Sequence, residues 1–159
     1  MSSEGQNDSA ALPSYKIRPR GDLSAVADLW VASWQATLPA IDFAARRDWF
    51  YAYLDEIERG GGVTFCAFDG DDQLAGFILL DIAKANLEQI AIAPRLFGSG
   101  LGAFLLDHAK QLCRSGLSLA VNADNPRALR FYEKHGFLRI SEGVNERSGL
   151  KIWQMRWPG

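Results

Sequence analysis

Cysteines, metal-ligand clusters, basic blocks and long apolar runs are scarce or missing in this sequence. Its 159 residues include two cysteines, Cys66 and Cys113, neither with a neighbouring histidine or cysteine, which excludes a disulfide framework and a zinc site. The net charge of −2 and the lack of a basic block argue against a nucleic-acid partner. No apolar run approaches the ~20 residues that a membrane helix needs. We therefore expect no metal, no nucleic acid and no membrane partner, and two buried thiols.

The first 14 residues lack both the basic start and the apolar centre of a signal peptide. Their Ser, Gly, Asn and Asp content predicts a flexible tail, and a cytoplasmic location is the expectation for the chain. The remaining residues, 15–159, fit one domain, because a chain that is 48% hydrophobic and 11% aromatic can bury one substantial core at this length.

Apolar periodicity and turn residues divide the domain into helices and strands. Helical spacing and capping signals predict four helices, at residues 22–38, 42–59, 101–115 and 125–135. Short apolar runs predict strands at residues 15–19, 63–68, 74–82, 87–93, 117–122, 137–142 and 150–157. The third helix carries Leu101, Phe104, Leu105, His108 and Leu112 on one face and is expected to end before Gly116, which suits its C′ position. This order predicts a single α/β (α+β) domain with a mixed, mostly antiparallel central sheet flanked by about four helices.

A glycine-rich loop follows the predicted strand that ends near Pro94. Gly98, Gly100 and Gly102 leave the backbone bare, so several N–H groups can converge on a phosphate at the start of the next helix. A tight turn without a ligand fits the same glycines. A Walker loop is excluded because no Gly-Lys-Ser/Thr follows. The dinucleotide pattern fits Gly98, Gly100 and Ala103, but too little chain follows for the second half of that fold.

A second motif bears on whether the glycine loop binds a phosphate. Downstream of the loop Pro-x-x-x-Gly-x-Gly-x-Gly, residues 121–137 read VNADNPRALRFYEKHGF. Together the two resemble the paired motifs of the GNAT superfamily of acyl-CoA-dependent N-acetyltransferases, in the family's order. Residues 15–19 and 152–157 resemble its first and last strands. The resemblance implies the GNAT fold, acetyl-CoA (coenzyme A) as the cofactor, and direct transfer of the acetyl group to a primary amine in a ternary complex.

The resemblance also implies where the cofactor binds: along the strand end before the loop, on the loop, and at the start of the next two helices. The implied cofactor-binding residues are Ile90, Ala91, Ile92, Phe97, Gly98, Ser99, Gly100, Leu101, Gly102, Ala103, Asn122, Asn125 and Tyr132. Relatives carry Gln or Arg where this chain has Phe97, but backbone N–H groups contact phosphate whatever the side chain. Arg95 or Arg127 can supply the missing charge, unless both are plain surface arginines. Asn125 before Pro126 also suits the start of any helix.

Two side chains are candidates for proton transfer. The resemblance implies that the Tyr132 hydroxyl points at the cofactor sulfur, where a protonated phenol can donate to the leaving thiolate. The alternative is an aromatic ring packed on the core. Glu88 is the candidate base for the acceptor ammonium, with Asp81 as its rival and a plain exposed strand acid as the alternative. The N–H of Ile92 is expected to polarise the acyl carbonyl.

The acceptor is an amine of a small molecule or peptide that the sequence does not identify. Four aromatic residues of the first two helices either line the acceptor cleft, pack in the core or contact a second copy in a homodimer: Trp30, Trp34, Trp49 and Tyr53. His108 and His135 are interpreted as core or helix-end residues. The competing functions are a non-catalytic acyl-CoA-binding module and a dinucleotide oxidoreductase.

Overall fold

The computed structural model describes residues 14–159, so the predicted tail at residues 1–14 lies almost wholly outside the described residues. Within them the helices are α1 (Leu23–Thr37), α2 (Arg47–Arg59), α3 (Leu101–Leu112) and α4 (Pro126–Lys134), with 3₁₀ turns at Ala44–Arg46 and Pro94–Leu96. The strands are β1 (Lys16–Pro19), β2 (Val63–Phe68), β3 (Leu74–Asp81), β4 (Asn86–Ile92), β5 (Leu117–Asn122), β6 (Leu138–Val144) and β7 (Lys151–Trp157).

The strands form one sheet in the order β1-β2-β3-β4-β5-β7-β6. Every neighbouring pair is antiparallel except β4 and β5, which run parallel. The parallel ladder consists of one residue pair, Asn86 with Ser118. Two antiparallel blocks therefore meet at a nearly unpaired junction, and the predicted mixed, mostly antiparallel sheet is confirmed.

Apolar side chains fill both faces of the sheet. On one face, Leu105 of α3 packs with Ile78 and Leu119 from the two sides of the junction. On the other, Phe50 of α2 packs with Phe77 and stacks on Trp30 of α1 with ring centroids 4.6 Å apart. Burial of a side chain of this size contributes about 1.5–3 kcal/mol. Because helices cover both faces of β3, this strand is apolar throughout and lacks the alternation of a half-exposed strand.

The second helix was predicted from residue 42, and this start is wrong. Asp42 instead accepts a hydrogen bond from the Ala45 N–H at 3.3 Å, and the Phe43 N–H donates to the side chain of Gln35 at 3.1 Å. These contacts stabilise a separate 3₁₀ turn. Arg46, with φ −100° and ψ 7°, separates the turn from α2. The tertiary contact with Gln35 of α1 overrides the local helical pattern.

The buried face of α3 also differs from the prediction. Its fully buried positions are Leu101, Leu105, Leu106 and Ala109, whereas Phe104 and Leu112 are 41% and 40% exposed. The buried positions form the expected stripe at spacings of three and four residues. The stripe is shifted around the helix axis, however, so that Leu106 and Ala109 face the sheet in place of Phe104 and Leu112. The helix ends at Leu112, so Gly116, with φ +135°, belongs to the turn into β5 and is not its C-terminal cap.

Both cysteines are free and buried. Burial raises the pKa of the Cys66 thiol to about 11, so this thiol is un-ionised at neutral pH. Among residues 14–159, no group of three or more His, Cys, Asp or Glu side chains is arranged to hold a metal ion. In the same residues no helix has the length and apolar content needed to cross a bilayer.

Candidate active site

The gap between β4 and β5 is the first element of the site. After the Asn86–Ser118 pair the two strands separate, leaving what we call the β4–β5 slot between residues 88–92 and 119–122. The Ala93 N–H donates to the Ala75 carbonyl of β3 at 2.8 Å. Because successive N–H groups of a strand point to opposite sides, the N–H groups of Ile90 and Ile92 point into the slot. The slot thus offers strand-edge donors to a ligand.

The glycine loop lies where β4 ends. Gly98 and Gly100 have φ of +78° and +91°, and both have open space where a Cβ would stand. Of the seven N–H groups of residues 97–103, those of Phe97, Ser99 and Leu101 already donate within the loop. Four other N–H groups have no acceptor within residues 14–159, namely those of Gly98, Gly100, Gly102 and Ala103. They surround the N-terminus of α3, where the helix dipole also favours an anion.

Gly102 connects the loop to the slot. A Cβ at this position would lie 3.1 Å from Ile92 Cδ1 and 3.4 Å from Phe131 Cζ. Glycine lets the first turn of α3 approach both the end of β4 and α4 this closely, whereas a Cβ would require the Ile92 side chain to move by a few tenths of an ångström. The loop donors and the slot donors therefore belong to one continuous surface.

Tyr132 lies on α4 beside this surface and is 8% exposed. Its ring packs edge-on against Phe131 and Phe137, with centroids 5.2 Å and 5.6 Å away. Burial raises the pKa of the Tyr132 hydroxyl above its ordinary value. The phenol is therefore protonated at neutral pH, as a proton donor requires. The ring also packs on the core, as the packing interpretation of this residue requires, and the direction of its hydroxyl toward a cofactor sulfur stays a prediction.

Glu88 occupies a β-bulge in β4. Leu79 of β3 pairs with Gln89 and Leu80 pairs with Leu87, so Glu88 is the extra residue between them. A bulge redirects the side chain it inserts. Here it turns Glu88 toward the α2 face of the sheet, where the Tyr53 hydroxyl donates to Glu88 Oε1 at 3.0 Å.

Two donors hold the Glu88 carboxylate. Tyr53 Oη donates to Oε1, and the Asn86 side-chain amide donates to Oε2. Burial, followed by the negative charge of Glu88, raises the pKa of the Tyr53 hydroxyl, so Tyr53 acts only as a neutral donor. Trp49 stacks on the Tyr53 ring at 5.2 Å with the planes 3° apart, which fixes the ring orientation.

An open cleft lies on the same face of the sheet as the Glu88 side chain. Ile152 and Gln154 of β7 pair with Asn122 and Ala120 of β5, and directly paired residues project their side chains to the same face. The cleft has a volume of about 560 Å³ and lies between this part of the sheet, α2 and the β6–β7 turn. Tyr53 connects the cleft with Glu88, because its ring lies 4.9 Å from Arg147 Cζ in the cleft wall and its hydroxyl donates to Glu88; the cleft is called the acceptor cleft after the role proposed for it below.

The other sequence candidates divide by their contacts. Asp81, the rival base, is 5% exposed and accepts from the Lys84 N–H at 3.1 Å, so it stabilises the β3–β4 turn. Asn125 Oδ1 caps α4 by accepting from the Ala128 N–H at 3.2 Å. Asn122 ends β5, and its carbonyl accepts from the Asn125 N–H at 3.0 Å.

The side chains of the loop arginines and Phe97 lie at the surface. Phe97 is 41% exposed. Arg95 forms a 3.5 Å ion pair with Asp69, while Arg127 is exposed in the first turn of α4. Of the aromatic residues considered for the cleft, Trp30 packs in the core and Tyr53 reaches the site.

Three residues at or near the site were not predicted from the sequence. Asn86, Glu56 and Arg147 carry no recognisable motif, and the bulge that aims Glu88 at Tyr53 leaves no local signal. Arg147 Nη2 contacts Glu56 Oε2 at 2.6 Å across 91 residues of sequence. Only the turn residues Asn145 and Gly149 mark the position of the segment that carries Arg147.

The family match defines the class of enzyme: the chain belongs to the acetyltransferase (GNAT) family, whose model matches residues 23–137. It is 27% identical over 151 residues to the peptidyl-lysine N-acetyltransferase YiaC of Escherichia coli, covering 87% of this chain and 92% of that protein. It is 37% identical over 111 residues to the peptidyl-lysine N-acetyltransferase YjaB of Salmonella typhimurium, covering 67% and 73%.

A solved structure shares the fold. The PaiA N-acetyltransferase of Thermoplasma acidophilum, in complex with coenzyme A, superposes with a TM-score of 0.75 at 23% identity, covering 92% of this chain and 99% of that one. The predicted family, fold class, N-acetyltransferase activity and acetyl-CoA cofactor are confirmed by the family match. The non-catalytic module and the dinucleotide oxidoreductase are not favoured. The roles of individual residues stay predictions.

Proposed function

We propose that this protein transfers the acetyl group of acetyl-CoA to the side-chain amine of a lysine in a peptide or protein. One observation carries the proposal: a bulged carboxylate, Glu88, is held by two donors between a strand-edge slot and an open cleft. The matched relatives YiaC and YjaB are named for peptidyl-lysine acetylation. The cleft is open to solvent, as a protein-borne side chain requires.

The residues present fit coenzyme A. Open space above Gly98 and Gly100 and the unpaired N–H groups around the α3 N-terminus suit a pyrophosphate. The Ile92 N–H suits an amide of an extended pantetheine arm lying in the slot, and the Ile90 N–H is left for the acyl end of that arm. In this proposal Phe97, Ser99, Leu101, Ala91, Asn122 and Asn125 line the same surface. Acetyl-CoA supplies the activated acetyl group as a thioester.

Groups of the protein then act on the acyl carbonyl, on the acceptor ammonium and on the leaving sulfur. The arm enters the slot from the loop beside Ile92, so in this proposal the Ile90 N–H, farther along the slot and nearer Glu88, takes the role expected of Ile92: it hydrogen-bonds the acyl oxygen and stabilises the negative charge that develops there. Glu88 accepts the proton of the acceptor ammonium, directly or through water, so that the free amine can attack. Tyr132 donates a proton or a hydrogen bond to the departing sulfur, and the second proton that the nitrogen loses as the amide forms restores the tyrosine or passes to water. No covalent enzyme intermediate is required.

Location and assembly complete the proposal. Two free buried thiols suit a reducing compartment such as the cytoplasm. A homodimer through the edge strand β6 is also part of the proposal, because Leu138, Ile140 and Val144 on it are 60–63% exposed.

A thiol-release assay tests the function. Acetyl-CoA is incubated with peptides that contain one lysine, with blocked termini, and free thiol and peptide mass are followed. We expect thiol release in step with one added acetyl group, and none with the same peptide already acetylated on lysine. Release with small amines but with none of a varied set of lysyl peptides contradicts the proposed acceptor, although it leaves the acetyltransferase activity intact.

A further inference from the structure

One ion pair lies inside the acceptor cleft. Arg147, on the β6–β7 turn, contacts Glu56 of α2 at 2.6 Å, and its Cζ lies 4.9 Å from the centroid of the Tyr53 ring. The Arg147 and Glu56 side chains are 43% and 62% exposed, so solvent and a ligand reach both. The guanidinium thus occupies a position formed by a carboxylate and an aromatic face, which together attract cations.

The turn does not need this side chain in order to form. The Asn145 N–H donates to the Leu150 carbonyl at 2.9 Å, and the Gly149 N–H donates to the Asn145 carbonyl at 2.7 Å. Asn145 Oδ1 also accepts from the N–H groups of Arg147 and Ser148. Backbone contacts therefore close the turn, and an exposed ion pair adds little stability to it. The side-chain contacts of Arg147 are free to serve another purpose.

The charge around the cleft favours a cation. Glu56 and Glu146 line it together with Arg147, and Glu88 lies behind Tyr53, whose hydroxyl it binds, so the carboxylates of this region outnumber its one lining guanidinium. The hydrogen bond to Glu56, together with the charges of Glu56 and Glu88, raises the pKa of Arg147. If a ligand displaces the guanidinium, the carboxylates are left for a positive group on that ligand.

We propose that Glu56 and the Tyr53 ring form a second cation subsite of the acceptor cleft, which Arg147 fills until an acceptor with a second positive charge displaces it. This inference rests on the proposed function, because it concerns the acceptor cleft of that function. Tyr53 joins the two positions: its ring faces Arg147, and its hydroxyl binds Glu88 at 3.0 Å. The substrate class is therefore an amine with a second positive charge, separated from the reacting nitrogen by about the length of a tyrosine side chain.

Two sources carry that chemistry, a basic residue near the target lysine of a peptide and the second ammonium of a polyamine. The kinetic arm compares a blocked Lys-Arg peptide with a blocked Lys-citrulline peptide, and 1,4-diaminobutane with n-butylamine. The variants are Glu56→Gln and Arg147→Gln. Asp55→Asn is the matched control, because Asp55 lies on the same helix and pairs with Arg59 at 2.8 Å, outside the cleft.

We expect Glu56→Gln to raise the KM of the dicationic acceptors about fivefold and leave the singly charged ones unchanged, the size expected of a half-exposed ion pair. Arg147→Gln should lower the KM of the dicationic acceptors about threefold, because the internal competitor is gone. The wild type and Asp55→Asn should behave alike. Which dication responds more tells a peptide acceptor from a polyamine. Equal changes for both classes, or a higher KM for dications in Arg147→Gln, overturn the proposal.

A binding arm separates the inference from the proposed function. Calorimetric titration of 1,4-diaminobutane and n-butylamine into each variant, with coenzyme A present, measures the subsite without turnover. A dication preference that Glu56→Gln removes supports the subsite, even if no variant releases thiol and the proposed function fails. Thiol release with no preference in either arm rejects the subsite and leaves the transferase activity standing.

Discussion

Replacement of Glu88 by glutamine tests the proposed base most directly, because the structure predicts that the fold tolerates the change. The new amide has the size of the carboxylate. Its NH₂ can face Tyr53 Oη, which accepts, while its oxygen accepts from the Asn86 amide. The Tyr53 hydroxyl keeps its second contact, the Glu88 carbonyl at 3.3 Å. We therefore expect a stability change below ~1 kcal/mol, or about 2–4 °C in Tm.

Activity should respond far more than stability. Removal of a general base lowers the rate by about a hundredfold or more, so kcat/KM of Glu88→Gln should fall by roughly that factor at neutral pH. The rate should recover in part as pH rises, because more acceptor arrives as free amine. In the wild type the acidic limb of the pH profile has two possible sources, Glu88 and the acceptor's own ammonium.

Two acceptors whose amines differ in pKa separate these sources. Thiol release is measured across pH for wild type, Glu88→Gln and the control Asp81→Asn, whose amide oxygen can still accept from the Lys84 N–H. A limb that stays in place when the acceptor changes, and disappears in Glu88→Gln, assigns the base. If Glu88→Gln runs parallel to the wild type at nearly the same rate, Glu88 is not the base and an ordered water must take its place.

Three further predictions concern the donor side and the core. Tyr132→Phe should lower acetyl transfer about a hundredfold while coenzyme A affinity and Tm stay unchanged; full activity would return Tyr132 to a packing role. Gly100→Val forces a β-branched residue to φ +91° and should abolish the rise in Tm caused by coenzyme A. In the wild type that rise reflects a stabilisation of about 2.7 kcal/mol when coenzyme A is at a hundredfold excess over Kd. The control Gly70→Ala, in an open turn, should keep the rise in Tm. Burial lowers the pKa of His108, and its Nε2 is buried without a partner within residues 14–159. Neutral His108 contributes its full share of folding stability above its ordinary pKa of ~6.5, and this share is lost as pH falls through the lower pKa of the folded state. His108→Leu should therefore flatten the decline in urea midpoint between pH 7.5 and pH 5. The pKa of His135 is lowered too, so an unchanged slope, rather than a residual one, contradicts the prediction.

Local signals predicted the elements whose ends are set locally. Asp22 accepts from the Ser24 N–H and starts α1 where its capping position predicts. Asn125 and Pro126 start α4, and β5 has the predicted bounds, Leu117–Asn122. In each case the residue that ends or begins the element contacts its own neighbours in sequence.

Predictions failed where distant residues decide. The start of α2 depends on Gln35, and the rotation of α3 depends on how its side chains meet the sheet. The site shows the same division. Glycine positions and a helix start were visible in the sequence, whereas the bulge at Glu88 arises from strand register and leaves no local pattern. The partners Glu56 and Arg147 meet only because the β6–β7 turn returns to α2.

The single residue pair between β4 and β5 affects how fast the enzyme binds acetyl-CoA. Within residues 14–159, ligand entry into the slot breaks no ladder hydrogen bond between β4 and β5, because the two strands pair only at Asn86 and Ser118. The core on the α3 side, with Ile78 and Leu119 packed around Leu105, still joins the two halves of the sheet. The main obstacle to association is then removal of water from the open strand edge, and capture need not wait for the fold to open.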